Sequence, residues 1–277
     1  MSIEYCNDKQ YMQKQQNRQS NTMQQDGFRA NVDLRTLYDM DDIDYRNRHI
    51  PEEVAPYTKE IFKCLRTNEG RFLPKAGYMS QQSDINEKMR AILIDWLVDV
   101  HLKFKLVNET LFLTVNLIDR YLERAQVSRQ KLQLVGITAL FTACKYEEIY
   151  PPDLRDFVYV TDKAYTKKQI LQMEGKMLKE LNFNITFSSA YLFLQRFSKL
   201  MDVDQKTYMM ARYLIELAQV EYGLIKYAPS HLAASAVYLA GKIFKLSNIW
   251  NDKIAESSQY SEQEIRSCAK KLCELII

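Results

Sequence analysis

Apolar residues recur every three or four positions from about residue 51 to residue 277, whereas the first fifty residues show almost no such spacing. Spacing of this kind predicts amphipathic α-helices. The chain contains only 7 Gly and 6 Pro, which favours helices over a sheet with many turns. We therefore predict an all-α protein. Residues 1–50 are predicted to form a disordered tail, because they are polar and rich in Gln and Asn.

The most apolar stretch, residues 89–100, is predicted to lie in a helix that begins just after Asp84 and ends near Phe104. Asp84 and Glu87 have the spacing of a capping box. Apolar residues lie on nearly every side of this helix, so it is either the centre of a domain or it keeps an apolar patch for a partner. Arg90 lies among these apolar residues and, if it is buried, requires a carboxylate.

The same spacing predicts helices on both sides of this stretch. In the first half they lie within Pro51–Arg66 with a start near Pro51 or Pro56, after Asn108, at about Arg129–Glu147, at about Asp153–Val160, and from a capping box at Thr166 and Gln169 to about Leu181. The helix at Arg129–Glu147 has small residues at Gly136, Ala139 and Ala143, and their spacing lets neighbouring backbones approach closely. It is therefore predicted to be the central helix of a domain.

The second half of the chain repeats this plan. When Lys145 is aligned with Lys242, the coinciding pairs are Gly136 and Ala233, Ala139 and Ala236, Leu140 and Val237, Phe141 and Tyr238, and Ala143 and Ala240. Helices are predicted at Ser188–Leu200, Asp204–Glu221, Pro229–Leu246, near Trp250 and at Ser261–Ile277. An internal repeat of this kind indicates two tandem five-helix domains. We place the first, with a short N-terminal helix, at residues 51–182 and the second at residues 183–277.

Charge and cysteine content narrow the class of protein. The 38 basic and 35 acidic residues are mixed along the chain and give a net charge of +3, so we expect no nucleic-acid partner. The scattered Cys residues predict reduced thiols, and the scattered His residues offer no zinc spacing. No apolar run is long enough to span a bilayer. We expect a soluble protein of the nucleus and cytoplasm, without a metal, a cofactor or a membrane partner.

Two charged residues lie where a simple core would need apolar ones. Glu174 falls within the apolar stripe of its helix, and Lys145 lies near the end of the first central helix. A charge buried without a partner would cost several kcal/mol. The two could pair with each other inside the fold, which the residues alone slightly favour, or both could face a partner protein. The sequence contains no phosphate-binding glycine loop and no nucleophile or metalloprotease motif, so we expect no catalytic residues.

Several of these stretches resemble the cyclin box of A- and B-type mitotic cyclins. They are Met89-Arg-Ala-Ile-Leu-Ile-Asp-Trp-Leu, Asn108-Glu-Thr-Leu, Lys131-Leu-Gln-Leu-Val-Gly, Lys145-Tyr-Glu-Glu-Ile-Tyr-Pro-Pro and Phe157-Val-Tyr-Val-Thr-Asp. The second box, with Phe197-Ser-Lys-Leu and Tyr213-Leu-Ile-Glu-Leu, is more similar to B-type members. The resemblance implies two cyclin boxes. It also implies a regulatory subunit that binds and activates a cyclin-dependent serine/threonine kinase in mitotic control and helps to recruit its substrates.

The resemblance further implies roles for particular residues. An internal ion pair is expected between Arg90 and Asp119. The kinase-binding surface is expected to consist of Lys145, Tyr146, Glu174, Leu178, Phe183 and Ile185, which favours the partner-facing alternative for Lys145 and Glu174. A patch that docks Arg-x-Leu peptides of substrates or inhibitors is expected at Met89, Ile92, Leu93, Trp96, Asp99, Leu132 and Gln133. Asp99 would meet the peptide arginine, and it is one methylene shorter than the Glu of A-type members.

Mitotic cyclins usually carry an Arg-x-x-Leu destruction box in the tail. Here Leu does not follow three places after any of Arg18, Arg29, Arg35, Arg46 and Arg48, so timed proteolysis through this tail is not predicted. Two alternative functions are a transcription-type protein with tandem cyclin boxes and a helical scaffold without a kinase partner. The first needs a basic surface for DNA, which the mixed charges do not provide. The second leaves Glu174 and Lys145 unexplained.

Overall fold

A computed structural model describes residues 41–247 and 249–277, and over these residues the chain forms helices and no strands. The chain divides into two compact units, one that ends at Lys59 and one that runs from Glu60 to Ile277. The described part of the first unit contains helix α1 (Asp42–Arg46), two 3₁₀ turns (Pro51–Glu53 and Ala55–Tyr57) and the start of helix α2 (Thr58–Glu69).

Helix α1 lies within the segment that the sequence predicts to be disordered, so that prediction is wrong for Asp42–Arg46. Local contacts explain the helix. The carbonyl of Asp41 accepts the N–H of Tyr45 at 2.9 Å, and the guanidinium of Arg48 lies 4.1 Å from the centre of the Tyr45 ring. So short a helix has too few residues to show apolar periodicity. The rest of the predicted tail, residues 1–40, lies outside the described residues.

The described residues of the second unit contain ten further helices in two sets of five, which confirms the predicted all-α fold. The first set is α3 (Glu87–Phe104), α4 (Asn108–Arg124), α5 (Arg129–Glu147), α6 (Leu154–Val160) and α7 (Lys167–Glu180). The second set is α8 (Ala190–Leu200), α9 (Gln205–Val220), α10 (Pro229–Ile243), α11 (Asp252–Ser258) and α12 (Glu262–Glu274). Of the two starts predicted for the first helix, the one near Pro51 is wrong, because Val54 adopts a left-handed backbone with φ of 42°; the helix begins at Thr58, close to Pro56.

The start of α3 also differs from the prediction. Its N-cap is Asn86, whose side chain accepts the N–H of Met89 at 3.0 Å. The predicted cap, Asp84, instead accepts the backbone N–H of Arg129 at 2.8 Å. Asp84 therefore stabilises the first turn of α5, a helix distant in sequence. Capping preferences indicate that a carboxylate will meet free N–H groups, but they do not say whose.

The predicted central helices are confirmed as α5 and α10, which are buried along most of their length. Small residues let other elements approach them closely. A Cβ placed on Gly136 of α5 would lie 2.7 Å from a Leu93 methyl carbon, and one on Gly241 of α10 would lie 2.3 Å from a side-chain carbon of Ile249. Glycine at these positions therefore sets how near α3 and the segment after α10 can pack.

Within the second unit, helix α2 packs against the second set of helices. The Phe62 ring meets the Phe193 ring edge-on, with 6.1 Å between their centres. The Glu69 carboxylate accepts both the N–H and the hydroxyl of Ser230 at the start of α10, at 2.9 and 2.8 Å. A carboxylate is favourable there because the first N–H groups of a helix lack partners. Helix α2 thus fixes the start of the second central helix.

Candidate protein-binding surfaces

The ion pair expected between Arg90 of α3 and Asp119 of α4 is present in the structure, and both side chains are buried. The guanidinium donates to the two carboxylate oxygens at 2.6 and 2.7 Å. The Tyr78 hydroxyl donates to the same carboxylate at 2.7 Å. Arg90 also donates to the carbonyls of Gln219 and Val220 at 3.0 and 3.2 Å. The buried charge thus has partners on both sets of helices.

The electrostatics of this cluster hold it in one protonation state. Burial alone would lower the pKa of Arg90, but the adjacent Asp119 carboxylate raises it above its ordinary value. Burial, followed by the charge of Asp119, raises the pKa of the Tyr78 hydroxyl far above its ordinary value, so this hydroxyl stays protonated and donates. Removing one partner would leave an uncompensated charge in the interior, which is strongly destabilising.

An open apolar groove of about 350 Å³ lies between α3 and the first turns of α5. Six of the seven residues predicted for peptide docking line it. They are Met89, Ile92, Leu93, Trp96, Leu132 and Gln133. Leu93 and Leu132 are buried and form the floor, whereas Ile92 is 61% exposed at the rim. We call this surface the apolar groove.

The seventh predicted docking residue, Asp99, is exposed on α3 but does not line the apolar groove. It lies three residues beyond Trp96, about one helical turn further along α3. Arg129 lines the groove instead and was not predicted. The charged residue within the groove is therefore cationic, and the nearby carboxylate lies past its end.

The ammonium of Lys145 lies 2.6 Å from a carboxylate oxygen of Glu174, so these residues pair across α5 and α7. The Thr142 hydroxyl donates to the same oxygen at 3.1 Å. The Glu174 side chain is only 10% exposed, whereas that of Lys145 is 43% exposed and lies 4.5 Å from the centre of the Phe141 ring. The sequence left an internal pair and a partner-facing pair as alternatives. The two are compatible, because this pair forms at the surface.

Apolar side chains in the segments that follow Lys145 and Glu174 along the chain are unusually exposed. Tyr146 and Phe183 are 49% and 66% exposed, and Ile149 and Tyr150 just past the end of α5 are 86% and 92% exposed. Leu178 and Ile185, the other two apolar residues predicted for the kinase-binding surface, are half-buried. Exposed apolar side chains grouped in this way commonly mark a protein-binding surface.

Phe183 adopts a backbone conformation that is unfavourable for an aromatic residue. Its φ is 56°, and the preceding Asn182 has a φ of 51°. A bulky residue with positive φ is uncommon. Hydrogen bonds hold this turn, because the N–H of Phe183 donates to the carbonyl of Leu178 at 2.8 Å and that of Asn182 donates to the carbonyl of Lys179 at 3.0 Å. The chain after α7 thus keeps Phe183 at the surface despite the strain.

Two family descriptions together match nearly all of the second unit. Residues 60–186 match "Cyclin, N-terminal domain", and residues 189–277 match "Cyclin, C-terminal domain". The chain belongs to the cyclin family. The first match contains α3 to α7 of this cyclin, and the second contains α8 to α12.

Curated relatives of this cyclin carry B-type names. The chain is 47% identical over 239 residues to Cyclin-B2-1 of Arabidopsis thaliana, which covers 86% of this chain and 55% of the relative. It is 44% identical over 241 residues to the G2/mitotic-specific cyclin-B of Arbacia punctulata, which covers 86% of this chain and 59% of the relative. The predicted similarity to B-type mitotic cyclins is confirmed. The chain spans little more than half the length of these relatives.

Solved structures share the fold of this cyclin. A viral cyclin from herpesvirus saimiri superposes with a TM-score of 0.68 at 19% identity, over 78% of this chain and 97% of that one. A chain of the yeast RNA polymerase II CTD kinase complex gives a TM-score of 0.59 at 15% identity, over 68% and 65%. At such low identity these likenesses bear on the fold alone.

Three residues of this cyclin's surfaces were missed by the sequence reasoning, although each left a signal. Arg129 precedes Leu132 by three positions, so helical spacing places both on one face of α5. Ile149 and Tyr150 are two bulky apolar residues in a row, placed in a loop directly before Pro151. Loops are usually polar, so two such residues there indicate either local burial or a partner.

The described residues contain no group of three or more His, Cys, Asp or Glu that could hold a metal ion. Among the described helices, none combines the length and the apolar character needed to cross a bilayer. Burial raises the pKa of the Cys144 thiol to about 12 and that of Cys268 to about 11, so both thiols stay protonated at neutral pH. A protonated, buried thiol is a poor nucleophile.

Proposed function

We propose that this cyclin is the regulatory subunit of a cyclin-dependent serine/threonine kinase, which it binds and activates while the partner performs the catalysis. The observation that carries the proposal is the pair of Lys145 and Glu174 at the surface, next to the exposed Tyr146 and Phe183. Such an arrangement offers a partner both polar and apolar contacts. The mitotic-specific names of the relatives support the same function.

The proposed mechanism is a shift of the kinase between conformations. The Lys145 ammonium can donate to backbone carbonyls of a kinase helix, and the free lone pairs of Glu174 can accept its N–H groups. Tyr146, Leu178, Phe183 and Ile185 would cover the apolar side of that helix. In the active kinase, a glutamate of its regulatory helix meets the lysine that positions the ATP phosphates. The cyclin activates if it binds that conformation more tightly than the inactive one.

Capture of kinase activity from the source cell tests this proposal. The tagged chain is used as bait, and phosphorylation of histone by the captured material is measured. Wild-type chain should capture kinase activity, and Phe183→Ala should capture much less, because it removes a contact of the proposed surface. Phe183 is exposed, so its loss does not open the core. Leu102→Ala is the matched control, since Leu102 is an exposed apolar residue on α3 outside this surface. Equal capture by wild type and Phe183→Ala would contradict the proposed surface.

We also propose that the apolar groove docks Arg-x-Leu peptides of substrates or inhibitors. The peptide leucine would enter between Met89 and Trp96, and its arginine would approach Asp99 past the end of the groove. The support is an open apolar cavity whose floor is buried and whose rim is exposed, a geometry suited to one apolar side chain.

A double variant, Met89→Ala with Trp96→Ala, tests docking. Activity of the kinase complex on a short peptide without a docking sequence should be unchanged, and activity on a substrate that carries Arg-x-Leu should fall. Leu102→Ala again serves as the control, because it removes exposed apolar surface from the same helix. Equal losses on both substrates would mean that these side chains serve the core rather than docking.

A further inference from the structure

A second groove, of about 470 Å³, borders α5 on the side away from the apolar groove. Its lining residues include Lys131 and Leu134 of α5, with Gln169, Gln172, Met173 and Lys176 at α7, and we call it the lysine groove. Arg129 and Leu132 line the apolar groove, whereas Lys131 and Leu134 line this one. Residues two apart on an α-helix point about 200° apart, so the two grooves flank the first turns of the same helix.

The lysine groove is suited to an anionic ligand. Lys131 and Lys176 are the charged residues among the described residues that line it, and both are exposed. Neither ammonium has an ion-pair partner within residues 41–247 and 249–277. The side-chain oxygen of Gln169 accepts the backbone N–H of Thr166 at 2.8 Å. The side-chain N–H groups of Gln169 remain available to a ligand. Leu134 and Met173 add apolar surface for the backbone or side chains of a peptide.

The geometry of α3 and α5 relates the two grooves. The Asp84 carboxylate accepts the N–H of Arg129 at 2.8 Å, so the first turn of α5 lies beside the segment that precedes α3. If the peptide arginine approaches Asp99, the N-terminal end of the docked peptide lies towards the C-terminus of α3. The chain after its leucine then runs towards Met89 and the start of α5.

The distance between the grooves can be bridged by a short peptide. A helix with its side chains is about 10–12 Å wide, and an extended chain advances about 3.3–3.6 Å per residue. Crossing α5 therefore takes roughly three or four residues. Asp84 lies at the start of α5, where its carboxylate already accepts the Arg129 N–H, and the Arg129 side chain lines the apolar groove.

We propose that the lysine groove binds acidic residues of the same peptide that occupies the apolar groove, beginning about four positions after the docked leucine. The inference rests on the docking function proposed above. It makes the docking signal bipartite: an apolar residue supplies the contact on one side of α5, and carboxylates supply it on the other. Lys131 and Lys176 would then select among peptides that share Arg-x-Leu.

Binding of three labelled peptides to the full 277-residue chain tests the inference. The first contains Arg-x-Leu followed by neutral residues, the second has three Glu beginning four positions after the leucine, and the third is the second with Ala in place of that leucine. At low salt the second should bind about three- to tenfold more tightly than the first, because two exposed charge contacts are added. The gain should shrink at high salt, which screens exposed charges.

Variants locate the source of the gain. Lys131→Glu with Lys176→Glu should remove it, whereas Lys168→Glu should keep most of it, since Lys168 is exposed on α7 and does not line the groove. The first peptide, with neutral residues after the leucine, should bind the wild type, the double variant and Lys168→Glu with equal affinity. An acidic gain that is absent in wild type, or that persists in the double variant, would overturn the inference while leaving docking intact. Failure of the neutral peptide to bind wild type would instead overturn the docking function, and the inference with it.

Discussion

The two boxes use charge differently although their central helices repeat each other. In the first box, two ion pairs join different helices and have a buried member: Arg90 pairs with Asp119, and Lys145 with Glu174. In the second box, two ion pairs each lie on a single helix with the partners four residues apart: Arg212 pairs with the half-buried Glu216, and the exposed Arg266 pairs with Glu262. The repeat thus preserves the small residues of the core, whereas the charges differ between the copies.

The ends of the two central helices show how the difference arises. Lys145 lies over the Phe141 ring, and its counterpart Lys242 lies 5.1 Å from the centre of the Tyr238 ring. The extra hydroxyl of Tyr238 donates to the nearby Glu262 carboxylate at 2.6 Å. Phe141 has no hydroxyl, and in the first box Lys145 itself pairs with the Glu174 carboxylate. Tyr238 thus bonds a carboxylate of its own box, whereas Phe141 lies beside an ion pair whose lysine is 43% exposed.

The largest effect is expected from Arg90→Ala, which breaks the buried side of the comparison. It would leave Asp119 charged and buried, and losing one member of a buried pair costs about 3–5 kcal/mol. Denaturant unfolding of the full chain measures this free energy. Arg212→Ala is the matched control from the second box, and it should cost about 0.5 kcal/mol or less, because its pair is a half-buried contact between residues four apart on one helix. Similar losses for the two variants would remove the distinction between the boxes.

The next effect concerns partner binding rather than stability. Glu174→Lys replaces the buried carboxylate of the first box and should weaken kinase binding by about 2–5 kcal/mol if the pair contacts the kinase. Glu262→Lys makes the same charge reversal in the second box and should leave binding nearly unchanged, because Glu262 lies outside the proposed kinase-binding surface. Affinity for the purified kinase is measured together with thermal melting. Loss of stability with unchanged affinity for Glu174→Lys would assign its pair to the fold alone.

The smallest effect is expected from Tyr238→Phe, which gives the second box the aromatic residue of the first. It removes the hydrogen bond to Glu262 and should destabilise by at most about 1 kcal/mol. Hydrogen bonds from Tyr238 and then Arg266 hold the pKa of Glu262 below its ordinary 4.5. A depressed carboxyl pKa stabilises the fold above about pH 4.5, and this contribution is lost as pH falls through the folded value.

The difference between wild type and Tyr238→Phe should therefore be full at neutral pH and should vanish in acid. NMR titration of the Glu262 carboxyl provides a direct measurement, and in the variant its pKa should move up towards the ordinary value. An unchanged pKa in Tyr238→Phe would show that Arg266 alone accounts for the shift.

Helices and the central small residues were predictable from sequence because they follow from spacing within one segment. Contacts between segments were not. Asp84 has the right chemistry for a cap, but which helix it caps depends on how α3 and α5 pack. The exposure of Lys145 likewise depends on where α7 places Glu174, so spacing could not choose between an internal and a partner-facing pair. Asp99 lies past the apolar groove because one helical turn carries it beyond Trp96.

The hydrogen bonds from Arg90 to the carbonyls of Gln219 and Val220 have a consequence for how the molecule opens. These carbonyls lie at the end of α9 in the second box, and their donor belongs to α3 in the first. Parting the boxes would deprive a buried cation of two acceptors, so partial opening is costly. The interior amides of both boxes should therefore exchange their hydrogens with solvent deuterium at matched rates, as one cooperative foldon rather than two.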